Sequence, residues 1–399
     1  MSAHAHTVHL PAPERLDLVK FPLTVLFGVL SFLGVILSFL GAYFNPAQFA
    51  YSWFFAFYYF FTIALGAFFW VVLHYACDSD WTVLVRRVWE NVLALFPVLL
   101  LIGIPLGWPE FRNVLWTWFS PEFSGTHEVA LRAAYLNPTF FYARVFAYFF
   151  YFCLAGLYYR TQSVEQDRDG SPVRSRRMHD HSYLALVIFG LLETFIGFDW
   201  YMGLDWRWGS SLFGVYNFSV CAQASMAAGI ALIALFRAGG YLRAVNAEHY
   251  YIMGKLLFAF TIFWAYCAFG QYLLIWYANI PDETIFYNDH NRGHWYLLTY
   301  LIVVGKFMFP TIYLLAQDTK KSLRSLTAIA CWILFMHGVE IYWFVMPYAH
   351  PGLMPSWQDF SAFLTVGSIL ALAYVRIAAS AYLSPTRDPR MVNCLTITN

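Results

Sequence analysis

Long apolar runs separated by short polar segments recur along the chain, without the strict alternation that marks a half-buried strand. A helix of about 20 apolar residues crosses a bilayer core. Ten windows approach or exceed that length, at about 21–43, 53–76, 91–108, 138–159, 183–203, 212–236, 256–277, 295–315, 326–347 and 360–382. Each is expected to be helical, because lipid offers no partner to unpaired backbone groups. Runs of up to 25 residues without alternation exclude an outer-membrane barrel. The pattern therefore predicts an all-α integral membrane protein with about ten transmembrane helices. A tail over 1–20 precedes a polytopic region over 21–382, and a second tail covers 383–399. Pro22 suits a first helical turn. The first apolar stretch is too long for a signal peptide and no A-x-A site follows it, so it is expected to stay as an anchor. The second and sixth spans both open on aromatic runs (YSWFFAFYYF and FGVYNFSV) and continue into small residues. That spacing suggests two related four-helix units, with two additional helices.

Charge gives the orientation. Seventeen Lys and Arg fall in the N-terminal tail, the even-numbered loops and the C-terminal tail, from Arg15 and Lys20 to Arg387 and Arg390. The odd-numbered loops hold four: Arg112, Arg132, Arg207 and Arg292. By the positive-inside rule both termini are expected in the cytoplasm. The segment 109–137, with Trp116, Trp118 and Phe119, is expected to lie along the outer interface. Residues 160–182 read as a polar, basic, cytoplasmic loop, and 278–293 as a polar outer loop leaning acidic. Composition closes off the other classes. The chain is 60% apolar, 21% aromatic and 12% charged, against about a quarter charged in a soluble domain. With 24 basic and 23 acidic residues, nothing points to a nucleic-acid partner.

Ionisable side chains inside spans are few, and each is costly enough to be a functional candidate. Lys306 on the eighth span and His337 on the ninth both lie about 15 Å deep at 1.5 Å per residue. Glu340 shares a helical face with His337, within reach of a long lysine. A Lys306–Glu340 pair with His337 beside it could handle protons, or could only neutralise buried charge. Glu193 on the fifth span is equally deep, with Lys306 and His337 as its evident partners of matching depth; an unpaired buried carboxylate could load and release a proton. Arg144 and Asp199 are expected to pair, while His74 and Glu90 sit near the cytoplasmic boundary. The proton-path candidates are therefore Glu193, Lys306, His337, Glu340, Asp199, Arg144, His74 and Glu90.

The six cysteines stand singly, five of them in apolar segments, which gives no signature for an iron–sulfur cluster, structural zinc or c-type haem. His337 is the one histidine placed deep in a span, so paired axial ligands for a b-type haem are not expected either. His4, His6 and His9 read as part of a flexible tail. No covalent or metal cofactor is expected in this chain, and any redox work would use a bound quinol or partner subunits.

Several stretches resemble a known family. FAFTIFWAYCAFGQYLLIWYANIPDE (258–283), YSWFFAFYYFFTIALGAFFWVVLHY with WTVLVRRVWEN (51–91), and YLNPTFFYARVFAYFF (135–150) resemble the second polysulfide-reductase-like (NrfD-like) membrane subunit of alternative complex III. That bacterial respiratory assembly is a quinol:electron acceptor oxidoreductase. The resemblance covers nearly the whole span region and implies ten helices around two four-helix units. It further implies partner subunits that carry the redox centres: a multihaem cytochrome c, an iron–sulfur subunit and a sister polysulfide-reductase-like subunit. It implies a structural and proton-conducting contribution from this chain, with no catalytic residue of its own. Two alternatives are a direct quinol-binding subunit of a simpler polysulfide-reductase-like oxidoreductase, and a secondary transporter. A transporter should break helices at matching places in its halves, whereas the second and seventh spans read as unbroken.

Overall fold

A computed structural model describes residues 11–18, 23–124 and 126–398; His4, His6, His9, Lys20 and Pro22 lie outside them. Among the described residues ten helices are long and apolar enough to cross a membrane: α1 Leu23–Phe44, α2 Pro46–Ala76, α3 Arg86–Gly107, α4 Pro138–Asp169, α5 Pro172–Leu204, α6 Phe213–Ala238, α7 Ala247–Ala278, α8 Tyr296–Leu315, α9 Leu323–Tyr348 and α10 Trp357–Ala379. Among the described residues the one piece of β pairing is an isolated antiparallel bridge between Arg15 and Tyr382. The protein is an all-α, multi-pass membrane protein.

Several helices outrun the windows read from hydropathy, because caps rather than the lipid boundary end them. Asn45 accepts a hydrogen bond from the Gln48 amide at 3.1 Å, and Pro46 follows, so α2 begins seven residues before position 53. Asn246 caps α7 at Ala247, ahead of the apolar window that opens at 256. The segment 160–182 is not a loop. α4 continues to Asp169, Gly170 takes the left-handed conformation at φ +65°, and Pro172 opens α5. The polar residues form the extension of a helical hairpin at the end that carries the two tails, since charge does not end a helix that a glycine and a proline bound elsewhere. Arg86 and Arg87 likewise belong to the first turn of α3 and are fully buried, not loop residues.

The helices close into two rings. α2 packs on α3, α3 on α4, α4 on α5, and α5 returns to α2; α6, α7, α8 and α9 close in the same way. α2 and α6 pack along each other and join the rings, while α1 and α10 pair with each other and lie against α2. α2 is therefore the most buried span and α1 the least. The α2–α6 crossing is close because position 66 has no side chain: a Cβ on Gly66 would sit 2.0 Å from the Cys221 carbonyl oxygen. α2 and α7 are unbroken over 31 and 32 residues.

Two spans contain a π-helical turn, Gly197–Tyr201 in α5 and Val303–Met308 in α8. In α8 the cause is Pro310, which has no N–H to give the carbonyl of Lys306 four residues earlier. At the end of the bundle away from the two tails, Trp116, Trp118 and Phe119 are not spread along an interface. They are buried, and all three rings pack on Phe141 of α4. A short helix, Pro281–His290, covers the same end of the second ring. Its His290 is buried, with Nδ1 2.7 Å from the Phe286 carbonyl and Nε2 3.1 Å from that of Phe344.

Candidate functional site

The π turn of α8 turns Lys306 into the second ring, where its ammonium pairs with Glu340 of α9. Both side chains are fully buried. Glu340 also accepts from the Tyr216 hydroxyl at 2.6 Å and from the Trp264 indole at 2.7 Å. The Lys306 ammonium lies 4.8 Å from the centre of the Trp264 ring. A buried carboxylate thus receives three donors, from α6, α7 and α8, which replaces the water it has lost. One turn along α9, His337 places Nε2 3.0 Å from the Thr62 hydroxyl of α2. Its Nδ1 lies 3.9 Å from the nearer Glu340 oxygen and has no hydrogen-bond partner. That distance is too long for a hydrogen bond. The Thr62 hydroxyl gives its own proton to the Tyr59 carbonyl at 2.9 Å, so Nε2–H donates to Thr62, and Nδ1, the nitrogen that faces the carboxylate, is the one that can receive a proton.

Glu193 is buried in α5 but does not join Lys306 or His337 directly. Its partner is Asn217 of α6, whose amide donates to the carboxylate at 2.7 Å; Asn217 in turn accepts from the Tyr58 hydroxyl of α2 at 2.8 Å. Depth alone pointed to the wrong partner, because a hydrogen-bonding amide leaves no mark in a charge count. Beside Tyr58, at 4.5 Å between ring centres, stands Tyr201, whose buried hydroxyl has no hydrogen-bond partner.

Arg144 and Asp199 pair as the sequence suggests. Nε and Nη2 reach the two carboxylate oxygens at 2.7 and 2.8 Å, and the Tyr148 hydroxyl donates to the same group at 2.6 Å. The guanidinium is sandwiched against the rings of Tyr135 and Phe140. Asp199 lies in the π turn of α5, so each ring has a carboxylate–cation pair with one member on a π turn.

His74 and Glu90 sit at the end that carries the tails. Glu90 bridges Arg86 and Arg87 at 2.8 and 2.9 Å; Arg87 also holds Asp167 of α4, and Arg86 holds Asp388 of the C-terminal tail. Burial pushes the Asp388 carboxyl up, but Arg86 and Arg390 outweigh it and hold the group down at about 2. His74 lies beside this network among Trp70, Trp81 and Trp89, with neither ring nitrogen hydrogen-bonded. The sequence reading missed Asn217, Tyr58, Tyr216, Trp264 and Thr62. In a chain with 28 Tyr and 16 Trp, nothing distinguishes the few that turn a polar atom inward. Among the described residues no three His, Cys, Asp or Glu side chains gather closely enough to share a metal ion. No protein-family model matches this chain, and no curated protein matches it at a significant level.

Proposed function

We propose that this chain is a cofactor-free membrane subunit of a bacterial respiratory quinol:electron acceptor oxidoreductase of the alternative complex III kind. In this reading it conducts protons while partner subunits carry the electrons. The observation that carries the proposal is the buried constellation of Lys306, Glu340 and His337, with Glu193 held one hydrogen bond from Asn217 and two from Tyr58. Ions this deep in an apolar bundle are kept for a use more often than for stability. The string IWYANIP within 258–283 supports the family side of the reading. The excess of basic residues at the tail-bearing end supports an N- and C-terminus in the cytoplasm of an inner-membrane protein. The partners in this reading are a multihaem cytochrome c, an iron–sulfur subunit and a sister polysulfide-reductase-like subunit, with quinol as the mobile reductant and quinone as its oxidised product.

Glu193 serves as the carrier, with Asn217 and Tyr58 linking it toward α2 and Thr62 linking α2 to His337. The test is proton-to-electron stoichiometry in vesicles holding the whole complex. Glu193→Gln and Glu340→Gln are each expected to lower it while preserving assembly, because the amide is nearly isosteric and cannot load a proton. Unchanged stoichiometry and turnover in both variants would reject proton conduction. Copurification without any cytochrome or iron–sulfur partner would reject the family assignment.

A further inference from the structure

A cavity of about 510 Å³ opens between α2, α3 and α4 at the end that carries the 109–137 segment. Its walls are almost wholly carbon, from Phe54 and Phe57 on α2 across to Val145 and Phe149 on α4. Leu100, Ile104 and Trp108 at its edge are exposed on the side where lipid lies, so the opening is lateral rather than toward water.

Two of the polar side chains that border the cavity, Tyr142 and Trp116, are already engaged. The Tyr142 hydroxyl donates to the Gly107 carbonyl at 2.9 Å and accepts from Arg112 Nη1 at 2.9 Å; the Trp116 indole donates to the Trp200 carbonyl. A ligand with a polar ring would find little to bond inside, whereas hydrocarbon fits. Arg112, on the short helix Pro109–Leu115 above the mouth, gives a different signal. Nε and Nη2 donate to the side-chain Oδ1 of Asn113 and Nη1 to the Tyr142 hydroxyl, which uses three of five N–H groups and leaves two. The Phe119 ring stacks on the guanidinium at 4.3 Å and fixes its plane. Among the described residues no carboxylate pairs with it. An oriented cation with donors to spare, at the rim of a hydrocarbon slot, complements an anionic amphiphile.

We propose that the cavity between α2, α3 and α4 binds one anionic phospholipid, an acyl chain filling the slot and the phosphate on Arg112. The inference is independent of proton conduction, and needs only that the chain spans a membrane.

The test uses the full chain purified in detergent, stripped of lipid and titrated with phosphatidylglycerol or phosphatidylcholine of the same acyl chains, with bound lipid counted by native mass spectrometry. Wild type is expected to retain one phosphatidylglycerol under conditions that remove phosphatidylcholine, and millimolar inorganic phosphate should not displace it. Arg112→Gln should weaken phosphatidylglycerol binding about tenfold or more, as loss of a charge-assisted hydrogen bond implies, and leave phosphatidylcholine unchanged. Gly107→Leu, at a position where an added Cβ meets only the Tyr142 ring at 3.9 Å, should fill the mouth and weaken both lipids. Equal retention of the two lipids by wild type would overturn the proposal. So would Arg112→Gln binding phosphatidylglycerol as wild type does, or a short-chain quinone displacing the lipid equally well in wild type and Arg112→Gln.

Discussion

Gly66→Ala tests whether the two rings are held at a fixed distance by one missing side chain. An added Cβ would stand 2.0 Å from the Cys221 carbonyl oxygen and 2.6 Å from Ser225 Cβ, where ordinary contact begins at 3.4 Å. The nearer obstacle is backbone and cannot swing aside, so α2 and α6 must part by about 1.4 Å locally (3.4 less 2.0). Overpacking of that kind costs about 1–3 kcal/mol. Parting the helices also stretches the Trp70 indole bond to the Ala222 carbonyl, now 3.0 Å, and the Tyr58–Asn217 bond, now 2.8 Å, beyond hydrogen-bond range. At about 1 kcal/mol for each bond lost, the total is about 3–5 kcal/mol. The control is Gly190→Ala on the exposed face of α5, where nothing lies within 4 Å of an added Cβ. There alanine should be neutral or stabilising by up to about 1 kcal/mol. Thermal unfolding in detergent at one fixed scan rate compares the two, because membrane-protein unfolding is often irreversible. A midpoint for Gly66→Ala equal to that of Gly190→Ala would refute the close-approach argument.

Three further outcomes are expected. Lys306→Met should cost about 3–5 kcal/mol by leaving Glu340 buried without its cation; adding Glu340→Leu should recover only part, since Tyr216 and Trp264 then lose their acceptor at about 1–3 kcal/mol each. A double variant as stable as wild type in the same unfolding assay would show that those two bonds carry no weight. Asp388, held at about 2 against about 3.9 in an unfolded chain, contributes about 2–3 kcal/mol that is complete above about pH 4 and is lost as pH falls through about 2. Limited proteolysis should therefore release the C-terminal tail at neutral pH in Asp388→Asn but only in acid in wild type, and matching profiles would sink the idea. For His290, burial lowers the pKa, although the Phe344 and Phe286 carbonyls pull it up; the unfolded chain then binds the extra proton and stability falls as pH drops below about 6.5. His290→Gln should flatten the dependence of the unfolding midpoint on pH between about 7 and 5, and an unchanged slope would count against it.

Span number was legible because lipid demands long apolar helices, and the two four-helix units because the second and sixth spans open on similar aromatic runs. The Arg144–Asp199 and Lys306–Glu340 pairs were legible through depth and the scarcity of ions. Helix ends were less so. Hydropathy marks where the membrane stops, whereas Asn45 and Asn246 mark where helices start and Gly170 where one stops, and the two differ by several residues. Arg86 and Arg87 counted as loop charges because a sequence cannot show that Glu90, Asp167 and Asp388 converge on them from three segments. The neutral links were hidden most fully, since Asn217 and Thr62 differ from other polar residues on their helices only by what faces them.

The two rings place a cation on the third helix and a carboxylate on the fourth, yet the pairs differ in kind. Arg144 grips Asp199 through two parallel bonds, Tyr148 adds a third donor, and aromatic rings cover the guanidinium. Arginine keeps its proton under all accessible conditions, and a bidentate pair of this geometry resists rearrangement. It suits a bolt between α4 and α5. Lys306 instead presents a single ammonium on a flexible stem, Glu340 is shared among donors from three helices, and His337 leaves Nδ1 open beside it. An ammonium can give up a proton where a guanidinium cannot. On the proposed reading Glu193 and the Lys306, Glu340 and His337 group therefore carry the protons, while the Arg144–Asp199 pair holds the first ring in shape. Asn217 makes the division useful: it belongs to α6 of the second ring but holds Glu193 of the first. Glu193, a deep carboxylate of the first ring that has no cation, is thereby tied to the ring that holds Lys306, Glu340 and His337.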